Sequence, residues 1–89
     1  MLNAENIKDA EQRRLAWRCR RGMLELDILL ERFLARYFER LSLDELRAFD
    51  AFLDLPDTEF WNILQMKNLH AKSLAQQSIL DKLHALEGA

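Results

Sequence analysis

Leu24-Glu25-Leu26-Asp27-Ile28-Leu29-Leu30-Glu31-Arg32-Phe33-Leu34-Ala35-Arg36-Tyr37-Phe38-Glu39-Arg40 is the stretch that decides the fold class. Leu26, Leu29, Leu30, Phe33, Leu34, Tyr37, Phe38 and Leu41 recur at i, i+3 and i+4, which places them on one face of a 3.6-residue helix. A strand would need strict alternation, and no segment of the chain shows it. The other side, with Glu25, Glu31, Arg32, Arg36, Glu39 and Arg40, is most simply solvated. The segment therefore reads as a core helix over Leu24 to Arg40 whose apolar stripe needs partners.

The partners follow on the C-terminal side. Ser42-Leu43-Asp44-Glu45 has the form of a capping box, in which the serine side chain accepts from the Glu45 amide and Glu45 reaches back. Leu41 and Leu46 are spaced to form the hydrophobic staple across that start. Leu46, Phe49, Phe52 and Leu53 form the next buried stripe, and the helix must stop before Pro56, which disfavours an α conformation at Leu55. Asp54-Leu55-Pro56-Asp57 then reads as a turn with Asp57 as the N-cap of a fourth helix, Thr58 to Met66. Phe60, Ile63 and Leu64 point inward there, with Trp61 at their edge. Residues 67–72 read as a connector. Ser73-Leu74-Ala75-Gln76 is a second capping-box pattern, opening a last helix with Ile79, Leu80, Leu83 and Leu86 on one side.

On the N-terminal side the chain turns at Arg20-Arg21-Gly22-Met23-Leu24-Glu25-Leu26-Asp27. Gly22 is the only glycine before position 88, the residue type used where φ turns positive or another backbone comes close. Before it, Ala10 to Arg21 reads as a helix with Leu15, Ala16 and Cys19 on one face. Arg13, Arg14, Arg18, Arg20 and Arg21 cover the remainder. Trp17 stands beside the apolar face, a position open either to a core role or to a partly exposed recognition role. Arg21 and Glu25 could form a surface together, or could simply pair with each other across the turn. Short links between helices predict an all-α fold, a compact five-helix bundle in one domain over 1–89, with 1–9 and 67–72 flexible.

Composition agrees and excludes several functions. The chain has 89 residues, 49% of them apolar, with two Trp, five Phe and one Tyr, ample for a core and too apolar for disorder. A single cysteine cannot form an internal disulfide, and no Cys/His spacing fits zinc, so a reducing compartment is expected. The N-terminus lacks an apolar signal region, and the longest aliphatic run, Ile28-Leu29-Leu30, is far short of a membrane span. A cytoplasmic protein with no membrane insertion is expected. Residues 1–22 hold six Lys and Arg against three Asp and Glu, while residues 23–60 hold four against ten. A basic first helix on an acidic body could steer an acidic partner but is too weakly basic to mark a nucleic-acid binder by itself. No nucleophile–base pair, phosphate loop or metal motif is present, so no catalytic or metal-ligating residue is expected. His70 and His84 read as surface residues. Cys19 reads as a small buried hydrophobe, although the neighbouring arginines could lower its pKa.

The corner carries one more signal. Arg14-x-x-Trp17-x-x-Arg20-Arg21-Gly22-x-x-Glu25-x-Asp27 resembles the N-terminal signature of the succinate dehydrogenase assembly factors, whose hallmark is Arg-Gly-x-x-Glu. The likeness runs over roughly residues 10–66, through the long second helix, the capped third helix and the turn into Phe60-Trp61, and leaves the role of 67–89 open. It implies a helper that is not itself an enzyme. Such a helper binds the flavoprotein subunit of succinate dehydrogenase or fumarate reductase and promotes covalent attachment of FAD to a client histidine. It also implies that Arg14, Trp17, Arg20, Arg21, Gly22, Glu25 and Asp27 form the partner-binding surface. No cofactor is expected to be held stably by the chain itself, and a monomer is expected. Members of the same family are also described as antitoxins paired with a small membrane toxin, and a helical nucleic-acid-binding regulator is a third reading.

Overall fold

The stripe on the second helix finds its partners in the last helix as well as the third. The computed structural model describes residues 4–66 and 73–87, with side chains from Lys8 onward. Its elements are α1 (Ala4–Arg18), α2 (Leu24–Tyr37) running into a single 3₁₀ turn (Phe38–Arg40), α3 (Leu43–Leu53), α4 (Asp57–Gln65) and α5 (Leu74–Glu87). No strand occurs among the described residues. The fold is the all-α five-helix arrangement that the periodicities predict.

α5 packs most extensively against α3 and then α2, so the C-terminal segment belongs to the centre of the fold. Leu26, Leu30 and Phe33 from α2, Phe49 from α3, Phe60 and Leu64 from α4, and Ile79 and Leu83 from α5 are fully buried in one cluster. The Phe33 and Phe49 rings stack with centroids 4.6 Å apart, and Phe52 and Phe60 stack at 5.7 Å. Aromatic pairs of this kind add about 0.5–1.5 kcal/mol beyond the area they bury.

The predicted caps of the third and last helices are present in atomic detail. The Glu45 amide donates to Ser42 Oγ at 3.1 Å, and the Ser42 amide donates to Glu45 Oε1 at 3.0 Å, completing the capping box of α3. The second oxygen of Glu45 accepts from Ser78 Oγ at 2.6 Å and from Lys82 Nζ at 3.1 Å, so one carboxylate caps α3 and ties it to α5. The Ser42 amide, then Ser78 and Lys82, hold the Glu45 carboxyl down to about 2. Ser73 Oγ accepts the Gln76 amide at 3.1 Å, as the second capping pattern predicts.

Several boundaries differ from the sequence reading. α1 begins at Ala4 rather than Ala10, because Ala, Glu, Lys, Gln and Arg sustain a helix there with almost no apolar stripe to announce it. It ends at Arg18 rather than Arg21, because the Arg21 amide donates to Asp27 Oδ1 at 2.8 Å instead of continuing the ladder. α4 starts on Asp57 itself with Pro56 in the cap position, and Asp57 gives no side-chain cap because its carboxylate faces Arg21. His84 is half-buried, its Nε2 within 2.9 Å of the Leu64 carbonyl, and joins α5 to the end of α4 rather than standing free. The connector at 67–72 and His70 lie outside the described residues.

Candidate functional site

The corner between α1 and α2 is assembled from hydrogen bonds rather than from volume. Past Arg18 the Cys19 amide still reaches Leu15 at 3.0 Å, and the Arg20 amide then closes a tighter turn onto Trp17 at 3.2 Å. Gly22 follows at φ +96°, in the region that L side chains rarely adopt. Asp27, in the first turns of α2, sends its carboxylate back to the amides of Arg21 at 2.8 Å and Gly22 at 3.2 Å. A carboxylate at a helix N-terminus is favourable in its own right, and here it also fixes the turn that feeds the helix.

Arg21 turns away from Glu25 and into the molecule. Its Nε donates to the Asp57 carboxylate, Nη1 to the Leu53 carbonyl at 2.6 Å, and Nη2 to the Leu55 carbonyl. The guanidinium also lies 5.8 Å from the Phe60 ring centre, and the side chain is only 11% exposed. One arginine thus satisfies a carbonyl that α3 leaves unpaired at its end, the link after it, and the first acid of α4. Neither a joint Arg21–Glu25 surface nor an Arg21–Glu25 pair describes this geometry, and Glu25 stands exposed with no ion pair among the described residues.

Two arginines of α1, Arg14 and Arg18, repeat the pattern. Arg14 reaches Glu11 at 2.5 Å and Asp50 at 3.1 Å, and Arg18 reaches Asp50 at 2.5 Å and Asp54 at 2.6 Å. The hydrogen bond from Arg14 holds the Glu11 carboxyl below the usual carboxylate range. Arg14, Arg18 and Arg21 are therefore engaged by the chain's own acids, and less of the basic segment's charge remains to steer a partner than the sequence suggests. Arg13 and Arg20 differ: Arg13 is exposed and donates to the Asp9 carbonyl at 3.3 Å, and Arg20 is exposed with its guanidinium 5.8 Å from the centre of the Trp17 ring.

Trp17 resolves toward the surface, at 73% exposed. Leu24 and Ile28 are exposed as well, by 68% and 40%. They were legible in the sequence as an i, i+4 apolar pair on the side of α2 opposite the core stripe, a side read there as solvated. A β-carbon built on Gly22 would meet no atom of the described residues within 4 Å, its two chain neighbours aside. Its glycine is required by φ, and the space above it is open. Cys19 closes the floor of the corner at 3% exposed; burial pushes its thiol up to about 12, outweighing the nearby Arg21 and Arg18. Among the described residues no group of three or more His, Cys, Asp or Glu converges as a metal site requires.

A surface that is rigid beneath and open above, with a tryptophan, aliphatic side chains and a bare backbone turn, is suited to docking on another protein. The family model described as flavinator of succinate dehydrogenase matches residues 13–87, and the chain belongs to that family, whose members assist attachment of FAD to a client enzyme and are not themselves enzymes. The match extends beyond Met66 through α5, consistent with that helix's place in the core. Among relatives, the FAD assembly factor SdhE of Legionella pneumophila (strain Paris) is 49% identical over 55 residues, 62% of this chain and 70% of that protein. The FAD assembly factor SdhE of Coxiella burnetii is 39% identical over 74 residues, 83% of this chain and 89% of that protein. That of Vibrio vulnificus (strain CMCP6) is 37% identical over 75 residues, 84% and 86%. No solved structure gives a significant match.

Proposed function

We propose that this chain docks on the flavoprotein subunit of succinate dehydrogenase, or of the related fumarate reductase, and favours covalent attachment of FAD there. The observation that carries the reading is the Gly22 corner, in a chain that belongs to the flavinator family: a turn held from below, with open space over the glycine. Within it the predicted site residues divide. Trp17, Arg20, Gly22 and Glu25 face outward and touch the client. Arg14, Arg21 and Asp27 are bound within the chain and set the shape that the client meets.

The chain supplies position rather than reactive groups. Holding a client histidine against the flavin, and holding charged groups where charge develops, are the contributions a bound helper can improve. It acts as a cytoplasmic monomer and holds no FAD of its own. No helix among the described residues is long and apolar enough to cross a membrane. The relatives cited above carry the assembly-factor name, and no observation favours the antitoxin or nucleic-acid readings.

Deletion of the gene is expected to remove in-gel flavin fluorescence from the denatured succinate dehydrogenase flavoprotein subunit. Undiminished covalent flavin, with no second flavinylating factor in the cell, overturns the reading. Complementation with Gly22→Arg is expected to give a helical protein by circular dichroism that fails to restore the signal.

A further inference from the structure

The corner does not end at Gly22. A groove of about 690 Å³ continues from it along the seam between α1 and α2, with Ala16 and Arg20 on one side and Leu24, Ile28, Glu31 and Ala35 on the other. Leu24, Ile28 and Ala35 lie at i, i+4 and i+11 of α2, opposite the stripe that faces α5. From Leu24 to Ala35 is eleven residues, roughly 16 Å of helix, or about three turns. Ala16, Gly22 and Ala35 keep the walls low, so a partner backbone can come close, as in helix-in-groove recognition.

Charge identifies the occupant. Arg14, Arg18 and Arg21 are bound to acids of α3 and α4. Asp27 in the groove wall is bound to two backbone amides. Glu31 in the same wall and the exposed Glu25 beside Leu24 have no ion pair among the described residues. Among the described residues lining the groove Arg20 is the one cation, and it is drawn toward Trp17. An apolar channel with the unpaired Glu31 in one wall fits an apolar segment that carries a basic side chain.

Building on the docking function above, we propose that the α1–α2 groove is the second half of the client site, taking an apolar segment of the flavoprotein subunit whose Lys or Arg pairs with Glu31. Glu25 gives the same segment a second acidic neighbour nearer the turn. Gly22 then admits the client backbone, and the groove fixes the direction in which the client leaves the corner.

The test compares variants on this exposed face, each checked for helicity by circular dichroism, in binding to the purified flavoprotein subunit. Ile28→Glu and Glu31→Arg are expected to weaken binding roughly tenfold or more, the scale of losing an interface anchor or reversing a paired charge. Glu31→Gln is expected to lose less than Glu31→Arg, and to lose the part of the affinity that falls with salt. A photo-crosslinking amino acid at position 28 is expected to capture an apolar, Lys- or Arg-bearing peptide of the flavoprotein subunit. If Gly22→Arg abolishes binding while Ile28→Glu and Glu31→Arg bind like the wild type, the groove proposal is overturned and the docking function stands. Capture of a second copy of this chain, or of an acidic client peptide, also overturns the groove proposal. If the wild-type chain itself does not bind the flavoprotein subunit, the docking function fails first.

Discussion

Where α5 lies across α2 and α3, the chain is held by volume: Phe33, Phe49, Ile79 and Leu83 are fully buried, and the two rings stack at 4.6 Å. At the Gly22 corner it is held by direction, through Asp27 on two amides and Arg21 on two carbonyls and a carboxylate. Volume can be filled by any apolar side chain of the right size, whereas a forked guanidinium reaching three acceptors has no equivalent. The first region makes the protein stable. The second makes one surface of it specific.

Four changes probe that contrast, from the largest expected effect down. Phe49→Ala removes a fully buried ring from the stack with Phe33 and is expected to destabilise the chain by about 3–5 kcal/mol in urea unfolding. A loss below about 1 kcal/mol would show that the seam closes over its own cavities. Arg21→Ala strips the donors from Leu53, Leu55 and Asp57 and is expected to cost about 1.5–3 kcal/mol. Arg21→Lys recovers only part of this, since an ammonium cannot span the same three acceptors. Full recovery by lysine would mean that charge, not direction, holds the corner.

Gly22→Ala meets no steric obstacle within the chain, so its cost is the positive φ alone, about 1–2 kcal/mol in the same unfolding measurement. A larger loss would reveal packing at the corner. Glu45→Gln is expected to cost about 1 kcal/mol at neutral pH by weakening the cap of α3 and its tie to Lys82. The folded-state pKa of Glu45 is lowered from an ordinary 4.5 to about 2. The carboxylate's contribution is therefore complete above about 4.5 and disappears as pH falls toward 2. Melting curves of wild type and Glu45→Gln should converge across that window, and a gap that persists at pH 2 would mean that the charge is not what stabilises the cap.

The same contrast explains what could be read from the chain unaided. The α2 stripe, the Ser42–Glu45 box, the stop before Pro56 and the α5 stripe are local patterns, repeating within a few residues, and each is present. The pairings of Arg14, Arg18 and Arg21 with Asp50, Asp54 and Asp57 join residues 32–36 apart in sequence, and no local pattern announces them. Composition did place many arginines before Gly22 and many acids after it. Without the fold, that asymmetry looked like a surface for a partner rather than an internal clasp. Arg21 and Glu25 sit side by side in the motif and face opposite ways in space, because Asp27 takes the Arg21 amide and ends α1 early. Leu24 and Ile28 carried a readable sign, two aliphatics on the wrong side of an amphipathic helix, and the core stripe drew attention from them.

Cys19 gives the corner its own clock. With the thiol 3% exposed and protonated at neutral pH, an alkylating reagent can react only when α1 lifts from α2. The labelling rate of a single native atom therefore counts openings of this one joint, without an introduced probe. A bound client that braces the corner would slow that count, and a client that pries it apart would quicken it.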